Sequence, residues 1–273
     1  MRRIEVITVT ALLAFSAVGM PAVAAEKASA APSASQAEAR RLLDGMAGFL
    51  GGQKEFGANL LVGYEVLQAS GQKIEFGERR TISVRRPNEL RIEKLASDGH
   101  QDLVLFDGKQ IMAYDAGPNV YAVSAQTGGI DETVVHFVRD LGMRLPLAPL
   151  LLAKLPEELQ RRVQTIDYVE KTTLFGEPCH HLAGRTATVD FEMWIADGKK
   201  PLPRKIALTY RGDEGQPRFW AEFSDWDLDP DFGNSEFEFE LPKDAKKVAF
   251  AAEMARASAK PASAPAPAEG AKR

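Results

Sequence analysis

Cys179, His180 and His181 stand in a row, a thiol beside two imidazoles, the constellation in this chain that most resembles a nucleophile with its base or a metal ligand set. On a strand, consecutive side chains point to opposite faces, so the two histidines do not chelate one ion together. A zinc site needs further ligands at set spacing, and the other histidines, His100 and His136, lie in unrelated runs. A Cys–His hydrolase also needs an orienting third group, and none stands out. The triplet therefore reads as structural: Cys179 as a buried small hydrophobe beside one outward histidine. Asp227, Asp229 and Asp231, with Glu238 in the twelfth position, have the spacing of a calcium loop. Its sixth position is Phe232 rather than glycine, Pro230 stiffens it, and strands rather than helices flank it. These acids read as a solvated turn. The chain has no GxSxG elbow, no phosphate-binding glycine loop and no HExxH. The expectation is no catalytic residue, no metal and no cofactor.

Apolar chemistry offers more. From Leu141 to Leu155, leucines and prolines alternate too densely for one long helix. This segment reads either as ordinary core or as a mobile cover over an apolar groove, with Leu147, Leu150, Leu151 and Leu152 as the residues facing a ligand. Trp194, Trp220 and Trp226 crowd the C-terminal strands together with Phe191, Phe219 and Phe223. Of these, Trp194, Trp220 and Phe223 are the candidates to line the same cavity, against ordinary sheet packing as the plainer explanation. Arg79, Arg80, Arg85, Arg86 and Arg91 form a locally basic patch, read mostly as the wet face of a meander, with docking of a partner as the alternative.

These residues sit in a chain with an exported start. Met1-Arg2-Arg3 is followed by an apolar run from Val6 to Val18 and by Ala22-Val23-Ala24, the pattern of a cleaved secretory signal over 1–25. No later run is apolar enough for a membrane span, so a soluble periplasmic protein is expected. The one cysteine lies far from the cleavage region. It allows no lipobox acylation and no intramolecular disulfide, so stability must come from a core. With 45% hydrophobic and 26% charged residues there is material for a full one. The formal charge of −4 becomes −5 without Arg2, Arg3 and Glu5, which gives no electrostatic reason to bind nucleic acid or anionic surfaces.

The elements follow from periodicity. Residues 26–34 read as a flexible lead. Ser35 and Glu38 have capping-box spacing, and Ala39, Leu42, Leu43, Met46, Phe49 and Leu50 share one helical face up to Gly51-Gly52. Strand-like runs extend from Phe56 through Arg85 and beyond, with turns at Asp107-Gly108, a pair that tolerates two positive φ angles, and at Gly117-Pro118-Asn119. Ile130 to Gly142 has helical spacing, capped by Asp131, and Pro156 opens a further polar helical turn. Strands return from Thr165. Ile206, Leu208 and Tyr210 alternate with polar neighbours, as do Phe237, Phe239 and Leu241 with Glu236, Glu238 and Glu240. Residues 35–250 form one domain, and the Ala/Pro/Lys-rich 251–273 is expected to be disordered.

Several short motifs occur in an order that resembles a known superfamily. They are Arg86-Pro87-Asn88-Glu89-Leu90-Arg91, the Asp107-Gly108 hairpin, Pro201-Leu202-Pro203-Arg204-Lys205, Trp226-Asp227-Leu228-Asp229-Pro230 and Phe237-Glu238-Phe239 with Leu241-Pro242. Together they are similar to an uncharacterised secreted branch of the periplasmic lipoprotein carriers, the LolA/LolB-like proteins. The resemblance implies an α+β fold that is mainly β: a strongly curved, open antiparallel sheet, a half-barrel, lidded by short helices. It also implies a lipid or acyl chain, or a lipoprotein, as partner. The carriers hold the lid with an arginine on an early strand. Phe56 to Glu65 contains none, so no residue is expected to inherit that role. The leading expectation is a non-enzymatic binding protein or carrier for an amphiphile. The alternative is an interaction or envelope-sensor module that docks an envelope protein, with its concavity filled by its own leucines.

Overall fold

The computed structural model describes residues 32–250 and Ala252. The signal peptide, most of the lead and nearly all of the tail lie outside the described residues. Helix α1 (Ala34–Gly51) buries Ala39, Leu43, Met46, Ala47 and Leu50 on one stripe. Its capping box is built two residues earlier than the sequence suggests. Ser33 Oγ accepts from the Gln36 N–H at 3.2 Å and Gln36 Oε1 accepts from the Ser33 N–H at 3.1 Å. Ser35 is occupied elsewhere, accepting from the Tyr168 N–H at 3.1 Å and donating to its carbonyl at 3.2 Å.

Six strands follow: β1 (Glu55–Leu67), β2 (Lys73–Arg85), β3 (Glu89–Ala96), β4 (Gln101–Phe106), β5 (Gln110–Asp115) and β6 (Val120–Ala125). Helix α2 (Ile130–Val135) runs on into a π-helical turn at His136–Asp140, and a 3-10 turn at Ala148–Leu151 precedes α3 (Leu155–Arg162). Strands β7 (Thr165–Leu174), β8 (Glu177–Arg185), β9 (Val189–Ala196), β10 (Pro203–Tyr210) and β11 (Arg218–Asp227) complete a second meander. A short β12 (Lys246–Lys247) pairs in parallel outside β6. All twelve strands form one open, curved sheet in the order β12-β6-β5-β4-β3-β2-β1-β11-β10-β9-β8-β7. The two meanders meet at β1 and β11, with Leu60 opposite Phe223 and Gly63 opposite Trp220. Because β6 and β7 lie toward opposite ends of this order, the chain between them has to cross the sheet. The crossing segment and α1 bury the inner face in one large apolar cluster.

Three local expectations are corrected. The Asp107-Gly108 turn has positive φ only at Gly108 (82°) and spans three residues, because the Asp107 carboxylate accepts from the Lys109 and Gln110 N–H groups. Asp131 does not cap α2. Gly129 is the cap, with its N–H donated to Glu132 at 3.1 Å, while Asp131 accepts from the Ala153 and Lys154 N–H groups ahead of α3. The alternating run at Phe237–Leu241 is not a strand. It is a 3-10 turn (Asn234–Phe237) followed by extended chain lying on the outer face, where Phe237, Phe239 and Leu241 pack with Leu103, Leu105 and Met112. Arginines capture its backbone: Arg91 donates to the Glu236 and Glu238 carbonyls at 3.1 Å each, and Arg85 to the Phe232 carbonyl at 3.0 Å. Carbonyls bound this way do not need a strand partner.

Candidate functional site

The inner face is unevenly filled. Near α2, Leu90, Phe106 and Ile111 share the core with Ile130 and Val134. Toward the opposite end of the same strands the inward positions are Ile92, Val104, Ala113 and Ala122, and the alanines leave space. A groove of about 1210 Å³ runs there. Its roof is the stretch from Phe137 to Pro146, its far wall the turn between β10 and β11 with Tyr210 and Phe219, and its end the segment Val248–Phe250. Phe250 is buried and meets Phe137 edge-on at 6.4 Å.

A much smaller void of about 30 Å³, room for about one water, lies deeper, under Leu145–Leu151. Leu147, Leu150, Leu151 and Phe223 line it, and Leu152 is buried beside them. Thus five of the seven candidate residues lie together, four of them lining a nearly filled pocket and Leu152 beside it. The remaining two, the tryptophans, are corrected outright. Phe219, Ala221 and Phe223 point inward, so Trp220 has the opposite parity, and Trp194 likewise lies between inward Met193 and Ile195. Both sit on the outer face. Trp194 stacks on His181 at 4.1 Å, and Trp220 donates to Glu75 at 3.2 Å while lying flat over Gly63, where an added Cβ would collide with the indole.

Sequence reasoning missed the polar floor. On β2 the even-numbered residues face inward, so Glu78 and Arg80 point into the groove, with side chains 3% and 13% exposed. Arg80 Nε donates to Glu78 Oε1 at 2.5 Å. Tyr210 stands near Arg144 and Arg80, and burial pushes its phenol pKa up. The clue was the strict alternation of β2, which puts Arg79 and Arg80 on different faces.

Arg86, expected on the wet face, is half-buried. Its guanidinium donates to the carbonyls of Gln53, at the foot of α1, and of Leu151, in the cover segment, each at 2.9 Å, and lies 5.4 Å over the Phe56 ring. Burial pulls its pKa down, opposed by the Asp131 carboxylate. The carbonyl of the next residue, Pro87, accepts from the Ile130 N–H at 2.7 Å. Phe56 to Glu65 has no arginine, and the guanidinium that bonds the Leu141–Leu155 segment comes from Arg86, immediately after β2.

Other clusters explain themselves structurally. Burial raises the Cys179 thiol pKa, the reverse of what a nucleophile needs. Ser124, His136 and Asp140 line up as hydroxyl, imidazole and carboxylate, at 3.2 and 3.0 Å. Neither Ser124 nor His136 borders the groove or the void, so the array pins the π turn to β6. At the groove rim His100 Nε2 lies 3.1 Å from Asp102 and 2.9 Å from Asp115, with the Lys94 ammonium on the other Asp102 oxygen. Among the described residues this is the one trio able to share a cation, and Asp227–Asp231 do not converge. Lys94 counters one of its two carboxylates. Among the described residues, no helix is long and apolar enough to cross a membrane.

Residues 39–251 match the family described as "Predicted periplasmic protein (DUF2092)". No curated protein matches the sequence. Among solved structures, an uncharacterized conserved protein of Thermus thermophilus is similar with TM-score 0.47 and 12% identity, covering 78% of this chain and 99% of that one. The Mycobacterium tuberculosis lipoprotein LppX gives 0.44 and 14%, covering 72% and 98%. A LolA superfamily protein of Nitrosomonas europaea gives 0.39 and 10%, covering 74% and 97%.

Proposed function

The chain belongs to the DUF2092 family of predicted periplasmic proteins, and on that premise we propose that it is a periplasmic, non-enzymatic binding protein or carrier that holds an amphiphile in the groove beneath Phe137–Pro146. The observation that carries this reading is the groove itself: about 1210 Å³ on the inner face of a curved sheet, lined by apolar residues with charged side chains among them, where the rest of that face holds only a void of about 30 Å³. Small-molecule sites run to about 300–1,000 Å³, so this one suits a lipid-sized guest. Burying an acyl chain is worth about 0.8 kcal/mol per methylene, so roughly a dozen methylenes offset several kcal/mol of association cost. Arg86 supports the reading from the other side, because it fixes Leu151 while the roof between Gly142 and Leu147 stays free of regular secondary structure.

A second reading has its own observation. Leu150, Leu151 and Leu152 are core residues over a void of about 30 Å³, so that half of the concavity is filled by the protein itself. An interaction or envelope-sensor module would look the same there. Native mass spectrometry of gently purified protein separates the two. A carrier retains a lipid-sized adduct and takes up the neutral fluorophore N-phenyl-1-naphthylamine. A bare mass together with no fluorophore uptake would remove the carrier reading.

A further inference from the structure

Resting on the reading of the groove as a ligand site, we infer that the Glu78–Arg80 pair is its head-group subsite, and that it selects an uncharged polar head bearing both a hydrogen-bond donor and an acceptor. The chemical class is a long-chain amide or alcohol, as opposed to a free fatty acid or a cationic amphiphile.

The pair is hard to account for by stability. It occupies inward positions on β2 in line with Ile82 and Val84, where a well-packed apolar pair is commonly as stable or more so, because two ions must be desolvated. Its bonding is also one-sided. Glu78 Oε1 receives both Arg80 Nε and Arg80 Nη2, while Glu78 Oε2 and Arg80 Nη1 have no protein partner among the described residues. Both residues line the wide groove, and Arg80 also borders the small void, so the pair marks where the two spaces meet. A guest filling the groove up to that point brings its polar end against a carboxylate acceptor and guanidinium donors side by side.

Charge decides what that end is. The pair is neutral as a unit, so an anionic head gains Arg80 but opposes Glu78, and a cationic head does the reverse, beside side chains only 13% and 3% exposed. A neutral amide or hydroxyl group satisfies both loose ends at once. The rest of the wall adds to the bias against anions, because carboxylates outnumber cations among the other groove-lining side chains by five to three.

The test is displacement of N-phenyl-1-naphthylamine from the full mature protein by four amphiphiles of equal chain length: hexadecanamide, 1-hexadecanol, hexadecanoate and hexadecyltrimethylammonium. Wild type should be displaced by the amide and the alcohol at about tenfold lower concentration than by either ion. Glu78→Gln should reverse the order in favour of hexadecanoate, and Arg80→Gln in favour of the ammonium, a reversal that a merely structural pair would not produce. Glu78→Leu/Arg80→Leu should fold, bind the fluorophore and lose the preference. Equal displacement by all four with wild type overturns the inference and leaves the groove reading standing, as does an order unchanged in folded single variants. If a single variant does not fold, the wild-type order decides. Wild type that binds neither the fluorophore nor any of the four overturns both.

Discussion

Arg86 ties the foot of α1 to the crossing segment. It bonds the carbonyls of Gln53 and Leu151 across the base of the cover, and both acceptors lose their partner if it is truncated. Arg86→Ala should lower the unfolding free energy by about 2–4 kcal/mol, with Arg86→Lys recovering only part, because an ammonium cannot reach two carbonyls with the planar geometry of a guanidinium. Urea unfolding of the three proteins checks this. Asp140 gives a pH prediction. Hydrogen bonds from Arg139 and then His136 hold its carboxyl below the usual range. A depressed folded-state pKa adds stability above the unfolded value, near about 3.9, and that stability is lost as the pH falls through the folded value. The urea midpoint of wild type should therefore exceed that of Asp140→Asn at pH 6, with the gap closing below about pH 4. A gap that persists unchanged at pH 3 would show that the carboxylate charge is not the cause. At this scale the sequence is legible wherever parity is followed. Phe223, Leu147, Leu150 and Leu151 line the small void. For Trp194, Trp220, Arg80 and Arg86 residue type misleads, because alternation along the strand overrules it.

Among the elements, the segment from Leu141 to Leu155 resolves into two parts with different mechanics. From Ala148 on it is clamped, by Arg86 at Leu151 and by Asp131 at Ala153 and Lys154. From Gly142 to Leu147 it has no helix and includes exposed Gly142 and Arg144. Amide exchange should be fast over 142–147, slow over 150–155, and slowed over 142–147 alone when an amphiphile binds. Uniform protection across both parts would show that the roof does not open. Leu151→Asp, by contrast, should unfold the domain, since Leu151 is 4% exposed in the main core. Periodicity finds α1, most strands and the crossing segment. It fails at Phe237–Leu241 because a period of two reports only that one side is dry. It does not say whether a neighbouring strand or a pair of arginines takes up the backbone bonds.

For the molecule as a whole, the predicted architecture and the observed one agree: one open, curved, mainly antiparallel sheet with helices over its inner face. The position of the groove was not legible, because it depends on which strands lie beneath the crossing chain. Small inward residues on β5 and β6, Ala113 and Ala122, mark it only once the register is known. The His100–Asp102–Asp115 trio is likewise a product of the fold, assembled from strands β4 and β5 and the turn before them. Since Lys94 already occupies one Asp102 oxygen and His100 bridges the two carboxylates, thermal melts with chelator, zinc and calcium should superimpose. A rise with zinc that disappears in His100→Ala would assign the trio a cation.

The seam between β1 and β11 carries a consequence for how the chain reaches this state. Its partners, from Gly57 with Asp227 to Tyr64 with Phe219, are separated by about 155–170 residues, whereas β2 to β6 pair mainly with near neighbours. Closing so long a loop before any reward arrives is slow. The first meander should assemble early and wait, with one edge of β1 unpaired, until β11 docks. That edge is exposed to aggregation in the interval. Gly63 sits on the seam under the Trp220 indole, and a methyl group there displaces the ring. If docking is the rate-limiting step, Gly63→Ala slows refolding by nearly its full equilibrium destabilisation, a φ-value near one. If instead the variant only speeds unfolding, the two halves meet after the barrier, and the seam is a late closure.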